Sequence, residues 1–136
     1  MHDSERRLLF ELRKTLLTLH KTLLDWERVS YERVHGRTSA GELLKVIMED
    51  PQFAWLRPIS ELIVRIDETL EAEAPDVRAD VSALVSRARS VVAPDEGGSP
   101  YAQRYRAALQ DYPDAVFAHR AVTNVLKDVP PRPTLH

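Results

Sequence analysis

The sequence predicts an all-α fold, an antiparallel helical bundle organised on one long N-terminal helix. Three observations carry this. Leu9, Leu12, Leu16, Leu19, Leu23 and Trp26 alternate strictly in threes and fours, the spacing of one helical face. No proline or glycine interrupts the chain from Ser4 to Gly36. No segment shows the apolar–polar alternation that a half-buried strand needs.

The first helix reads as 4–35. Ser4 is placed to accept an orphan N–H at its start, and Glu5 suits the positive end of the dipole. Arg33 and His35 fall in the last turn, and Gly36 stands where a left-handed residue closes a helix. Such a helix is roughly 48 Å long, while a compact domain of this size is about 37 Å across. It must therefore bend, project, or pack against a second copy.

Thr38 and Ser39 compete to cap a second helix, with Ser39 and Glu42 in the spacing of a capping box. Leu43, Leu44, Val46, Ile47 and Met48 are expected to supply its buried side. Asp50-Pro51 stops it and starts another, cap followed by first-turn proline. Pro58 interrupts the third pattern, lacking an N–H and crowding the carbonyl four residues back. The spacing thus predicts a short turn over 51–57, then a helix from 58 to about 72, built on Leu56, Ile59, Ile63, Ile66 and Leu70. A fourth helix is expected over 76–93. The Pro94–Ser99 stretch is the clearest linker. Ser99-Pro100 and Pro113 restart two short C-terminal helices, expected to cover a bundle of the first, third and fourth. Tyr101, Tyr105 and Tyr112 form a stripe in the first of these, expected in the core with hydroxyls at the rim. One domain is expected over 1–128, followed by a mobile proline-rich tail over 129–136.

Composition narrows the functional classes. The chain has 136 residues, 43% hydrophobic and 29% charged, with net charge −2 and no cysteine. Acidic and basic residues are interspersed, which argues against a nucleic-acid surface. Without cysteine there is no disulfide, thiolate nucleophile or cysteine zinc site. No apolar run has the length of a membrane span, and the charged N-terminus lacks a signal core; a cytoplasmic protein is the default expectation. Four glycines furnish no phosphate-cradling loop, and no G-x-S-x-G elbow occurs. No motif calls for a metal or cofactor, and an enzyme is not expected.

The segment FAWLRPISELI, within 41–67, and the later AALQDYPDAVFAHRAV resemble a group of small uncharacterised bacterial helical proteins. The resemblance covers most of the chain and implies a bacterial helical protein. It carries no activity, cofactor or site.

The candidate chemistry lies on the first helix. Taking Leu9, Leu16 and Leu23 as heptad position a puts Arg13, His20 and Glu27 at e, one every seven residues. Position e falls between the leucine seam and a second apolar line of Phe10, Leu17, Leu24 and Tyr31. Two helices packing on the two halves of this sector would meet over the polar line. The structural reading is a seam of hydrogen bonds and ion pairs, with stems buried and heads at the rim. The functional reading is a ligand or metal pocket using His20 and Glu27, joined by the inward-facing His119 of the last helix. Glu32 and His35 spell E-x-x-H, half of the ligand set of a carboxylate-bridged di-metal bundle, with no second copy in the chain. Trp26, Tyr31, Trp55 and Arg57 have the composition of an interface hot spot, although core packing also uses such rings. Pro130 to Pro133 matches P-x-x-P, which docks aromatic grooves when extended. The leading expectation is association with a second copy, as a homodimer, or with another protein. The alternative is a small-ligand or metal-binding bundle.

Overall fold

In a computed structural model, residues 3–72, 77–93, 98–127 and 129 are described. They form α1 (Asp3–His35), α2 (Ala40–Glu49), a 3-10 turn (Pro51–Leu56), α3 (Arg57–Glu71), α4 (Val77–Val92), α5 (Pro100–Asp111) and α6 (Pro113–Lys127). No strand occurs among the described residues, and the all-α prediction holds. The expected tail over 129–136 lies outside the described residues apart from Val129, as does most of the predicted linker.

α1 packs along α3 on one side and α6 on the other, and α4 closes the ring by touching both. The core is therefore a four-helix arrangement of α1, α3, α4 and α6. This corrects one expectation: α6 does not merely cover a three-helix bundle, it is the most extensive partner of α1. Its Ala115, Ala118, Val122 and Leu126 are all buried, and alanines let the two helix backbones approach closely. α3 runs antiparallel to α1, since Arg6 and Arg13 near the start of α1 meet Leu70 and Asp67 near the end of α3. Pro58 at the start of α3 and Val91 at the end of α4 line one cleft, so these two are antiparallel as well.

The leucine seam is as predicted up to a point. Leu9, Leu12, Leu16, Leu19 and Leu23 are fully buried; truncating any one to alanine would cost about 2–5 kcal/mol. The next fully buried residue is Glu27, whereas Trp26 is half-buried. Here α1 passes the ends of α3 and α6 and meets the 3-10 turn instead. Phe10 and Leu17 are 52% and 39% exposed, so the second apolar line is not covered as expected. The buried sector of α1 is narrower than its apolar sequence.

The local stops follow the sequence. Gly36 adopts φ +84°, a conformation that glycine enters without strain. Ser39 and Ser99 accept N–H bonds from Glu42 and Ala102, each at 3.2 Å, and Asp50 accepts from Gln52 at 2.9 Å. The break before α3 falls where Pro58 requires it, as a 3-10 turn running directly into the helix. α2 differs from expectation: none of its residues is buried, and Leu44 and Met48 are 60% and 67% exposed. Only Leu43, Val46 and Ile47 are half-covered, because the 3-10 turn is its only substantial neighbour among the described residues.

Candidate functional site

The distal half of α1 is where polar groups are held away from water. The Glu27 side chain is 1% exposed. It accepts hydrogen bonds from Trp55 Nε1 at 2.9 Å, Gln52 Nε2 at 3.4 Å and Arg104 Nη2 at 2.6 Å. One carboxylate thus joins α1, the 3-10 turn and α5. Burying an ionised carboxylate is costly unless it is paired and hydrogen-bonded, and all three donors answer that requirement. The Arg104 side chain is 39% exposed, so its guanidinium meets both the buried anion and water. The same guanidinium lies 4.6 Å from the centroid of the Trp26 ring, within reach of a cation–π attraction.

Rings continue inward from this junction. Trp26 and Trp55 meet edge to face at 6.3 Å, and Trp55 lies 6.0 Å from Tyr101. Tyr101 stacks on Tyr105 at 5.7 Å, and Tyr105 meets the imidazole of His119. The Tyr101 hydroxyl donates to Val91 O at 2.8 Å. The Tyr105 hydroxyl lies 2.7 Å from His119 Nδ1. Tyr105 is fully buried, so its hydroxyl is not at the rim as the stripe suggested. Nδ1 is the acceptor it finds among the described residues, which assigns the proton of His119 to Nε2. Burial raises the phenolic pKa of both tyrosines above the ordinary 10, because a phenolate would be desolvated. Burial, with a smaller contribution from Arg120, lowers that of His119 and keeps its ring neutral at neutral pH.

A second polar cluster closes the end of α1. Glu32 accepts from the backbone N–H of Thr38 at 2.6 Å and from its hydroxyl at 2.8 Å. These bonds, followed by the charge of Arg28, hold the Glu32 carboxyl below its ordinary 4.5. Arg28 donates to Thr38 O at 3.3 Å. Its Nε stands 3.5 Å from Glu32 as an ion pair and is a buried donor with no hydrogen-bond acceptor among the described residues. Tyr31 stacks on His35 at 4.3 Å and leans on Phe53. The E-x-x-H pair is thereby split: Glu32 holds the turn after the helix, and His35 packs on an aromatic ring.

The heptad line does not gather into one pocket. Arg13 pairs with Asp67 of α3, and both side chains are about two-fifths exposed. His20 is half-buried with its pKa lowered by desolvation, and no hydrogen bond or ion pair holds it among the described residues. Only Glu27 is enclosed, and its partners are donors from its own chain. No contact joins His20, Glu27 and His119, and no group of three or more metal-ligating side chains exists among the described residues. Trp26, Tyr31 and Trp55 are all half-buried and engaged within the chain, while Arg57 is exposed.

Some of this lay beyond the sequence reading. Arg6 stands seven residues before Arg13 and donates to Leu70 O at 3.3 Å; the period that picked out Arg13 would have found it. Arg104 lies 77 residues from Glu27, and no spacing signal links them. Compared with known proteins, the chain matches no family model, no curated sequence and no solved structure.

Proposed function

We propose that this chain works by association with another protein surface, with a second copy of itself as the first partner to test. The observation that carries the reading is α2, which buries none of its residues and leaves Leu44 and Met48 more than half exposed. Ten residues are too few for a helix to be stable in water by propensity alone. α2 is instead held by the Ser39 cap and by half-buried contacts with the 3-10 turn. Val34, at the end of α1, is 79% exposed. An apolar, incompletely packed element at one end of a well-packed bundle fits a surface completed by a partner. Symmetric pairing is the commonest way for a single chain to supply that surface.

The aromatic and charged candidates support the same end of the molecule differently. Trp26, Tyr31 and Trp55 stiffen it from inside and leave α2 as its apolar face. A chain with no helix long and apolar enough to cross a membrane among its described residues, and with no cysteine, fits a cytoplasmic setting. The metal or ligand alternative has less support, because the donors around Glu27 are already taken.

Light scattering and sedimentation across micromolar concentrations test the reading, using wild type and a Leu44→Glu/Met48→Glu variant. The expected result is a wild-type dimer that the variant dissociates with its melting temperature retained. A wild type that stays monomeric throughout removes the homodimer.

A further inference from the structure

Four of the six tyrosine and tryptophan side chains of this protein form one continuous line. Trp26, Trp55, Tyr101 and Tyr105 follow each other at centroid separations of 6.3, 6.0 and 5.7 Å, and His119 hydrogen-bonds the last of them at 2.7 Å. All four are oxidisable rings, and they come from α1, the 3-10 turn and α5. The line begins at Trp26, which is half-buried and reaches solvent beside Arg104. It ends at Tyr105, which is fully buried.

The two tryptophans both point their N–H at a carboxylate. Trp26 reaches Asp111 at 3.4 Å, and the Arg104 guanidinium over its ring offsets the positive charge this favours. Trp55 aims its N–H at the Glu27 carboxylate, which favours positive charge there. The two tyrosines differ in what their hydroxyls face. Oxidation of a phenol makes its proton strongly acidic, and a neutral radical forms only where a base receives it. Tyr101 faces a backbone carbonyl, which is no base. Tyr105 faces an imidazole nitrogen, which is one.

We propose that Trp26, Trp55 and Tyr101 relay an oxidising equivalent from the surface to the Tyr105–His119 pair, where it is held as a neutral tyrosyl radical. The oxidant is a diffusible one-electron acceptor strong enough to oxidise tryptophan. It takes one electron at Trp26 and is reduced by that electron. Trp26 is refilled from Trp55, and Trp55 from Tyr105 across Tyr101. Tyr105 loses one electron, and its phenolic proton passes to Nδ1 of His119, leaving a neutral radical beside an imidazolium. Re-reduction returns the electron to Tyr105 and the proton from His119. The radical thereby rests at one enclosed position.

Flash photolysis with a ruthenium polypyridyl sensitiser and a sacrificial acceptor tests this on the full chain, read by transient absorption and electron paramagnetic resonance. Wild type is expected to show a tryptophan radical that gives way to a tyrosyl radical. Tyr105→Phe is expected to lower the tyrosyl yield several-fold and to prolong the tryptophan radical. A Tyr31→Phe/Tyr112→Phe variant, which removes the tyrosines outside the line, is expected to keep the wild-type signal. His119→Asn is expected to slow tyrosyl appearance, as is heavy water with the unmodified protein, which needs no variant to fold. A tyrosyl signal that survives Tyr105→Phe and vanishes with Tyr31→Phe/Tyr112→Phe overturns the proposal. So does a rate that neither His119→Asn nor heavy water changes.

Discussion

Two arginine–carboxylate pairs tie α1 to other helices; they look equivalent on paper and are not. Arg13 and Asp67 join α1 to α3, and both side chains are about two-fifths exposed. Arg104 and Glu27 join α5 to α1, with the arginine equally exposed and the carboxylate at 1%. The first pair exchanges water for a partner and gains little, since exposed ion pairs are worth about 0.2–1 kcal/mol. The second has removed one charge from water, so its partners are obligatory. The same chemistry thus decorates one end of the helix and determines the packing of the other. The reason is what lies opposite: a long helix edge open to solvent at Arg13, and a proline-initiated turn plus a docked helix at Glu27.

The largest expected effect separates the two directly. Arg104→Ala leaves a buried carboxylate without its counter-charge and should cost about 3–5 kcal/mol, measured by urea unfolding. Glu27→Ala should cost less, because the half-exposed Arg104 can turn to water. A milder effect is expected at the cap of α5. Ser99→Ala removes the acceptor for Ala102 N–H and should cost about 1 kcal/mol, loosening the helix that delivers Arg104. Asp67→Ala should change the urea midpoint least, by no more than about 1 kcal/mol, and the change should shrink further in high salt. A loss at Asp67 as large as that at Arg104 would break the comparison.

A pH series sharpens it through the histidines. Burial lowers the native pKa of His20 and His119 below their ordinary 6.5, so between the two values the unfolded chain binds more protons. Stability is then fully present above about pH 6.5 and falls as the pH drops through the native values. His20→Gln should flatten part of that slope in urea midpoints taken at neutral and mildly acidic pH. A stability that rises on acidification through this window would contradict the assigned direction.

Much of the architecture was legible because helices announce themselves by period and punctuation. The leucine seam, the Pro58 break, the serine caps and Gly36 all act within a few residues of themselves. Position e of the heptad also singled out Glu27, since a polar residue recurring inside an apolar sector is informative without any partner in view. Its partners were not legible. Arg104 is one of many exposed-looking arginines, and its meeting with Glu27 depends on where α5 docks after a linker. The same holds for Tyr105 and His119, on two helices whose mutual angle the sequence does not state. α2 failed for the opposite reason: its apolar residues are periodic, but none of the described helices buries Leu44 or Met48.

Glu27 and Arg104 hold the distal end together as a unit, while Arg13 and Asp67 do no such thing at theirs. A pair of double-mutant cycles, one on each ion pair, measured by urea unfolding in the same buffer, tests it most directly. The expected coupling is about 1.5–3 kcal/mol for Glu27 with Arg104 and below about 1 kcal/mol for Arg13 with Asp67. Equal couplings, or a larger one at Arg13 and Asp67, would contradict it.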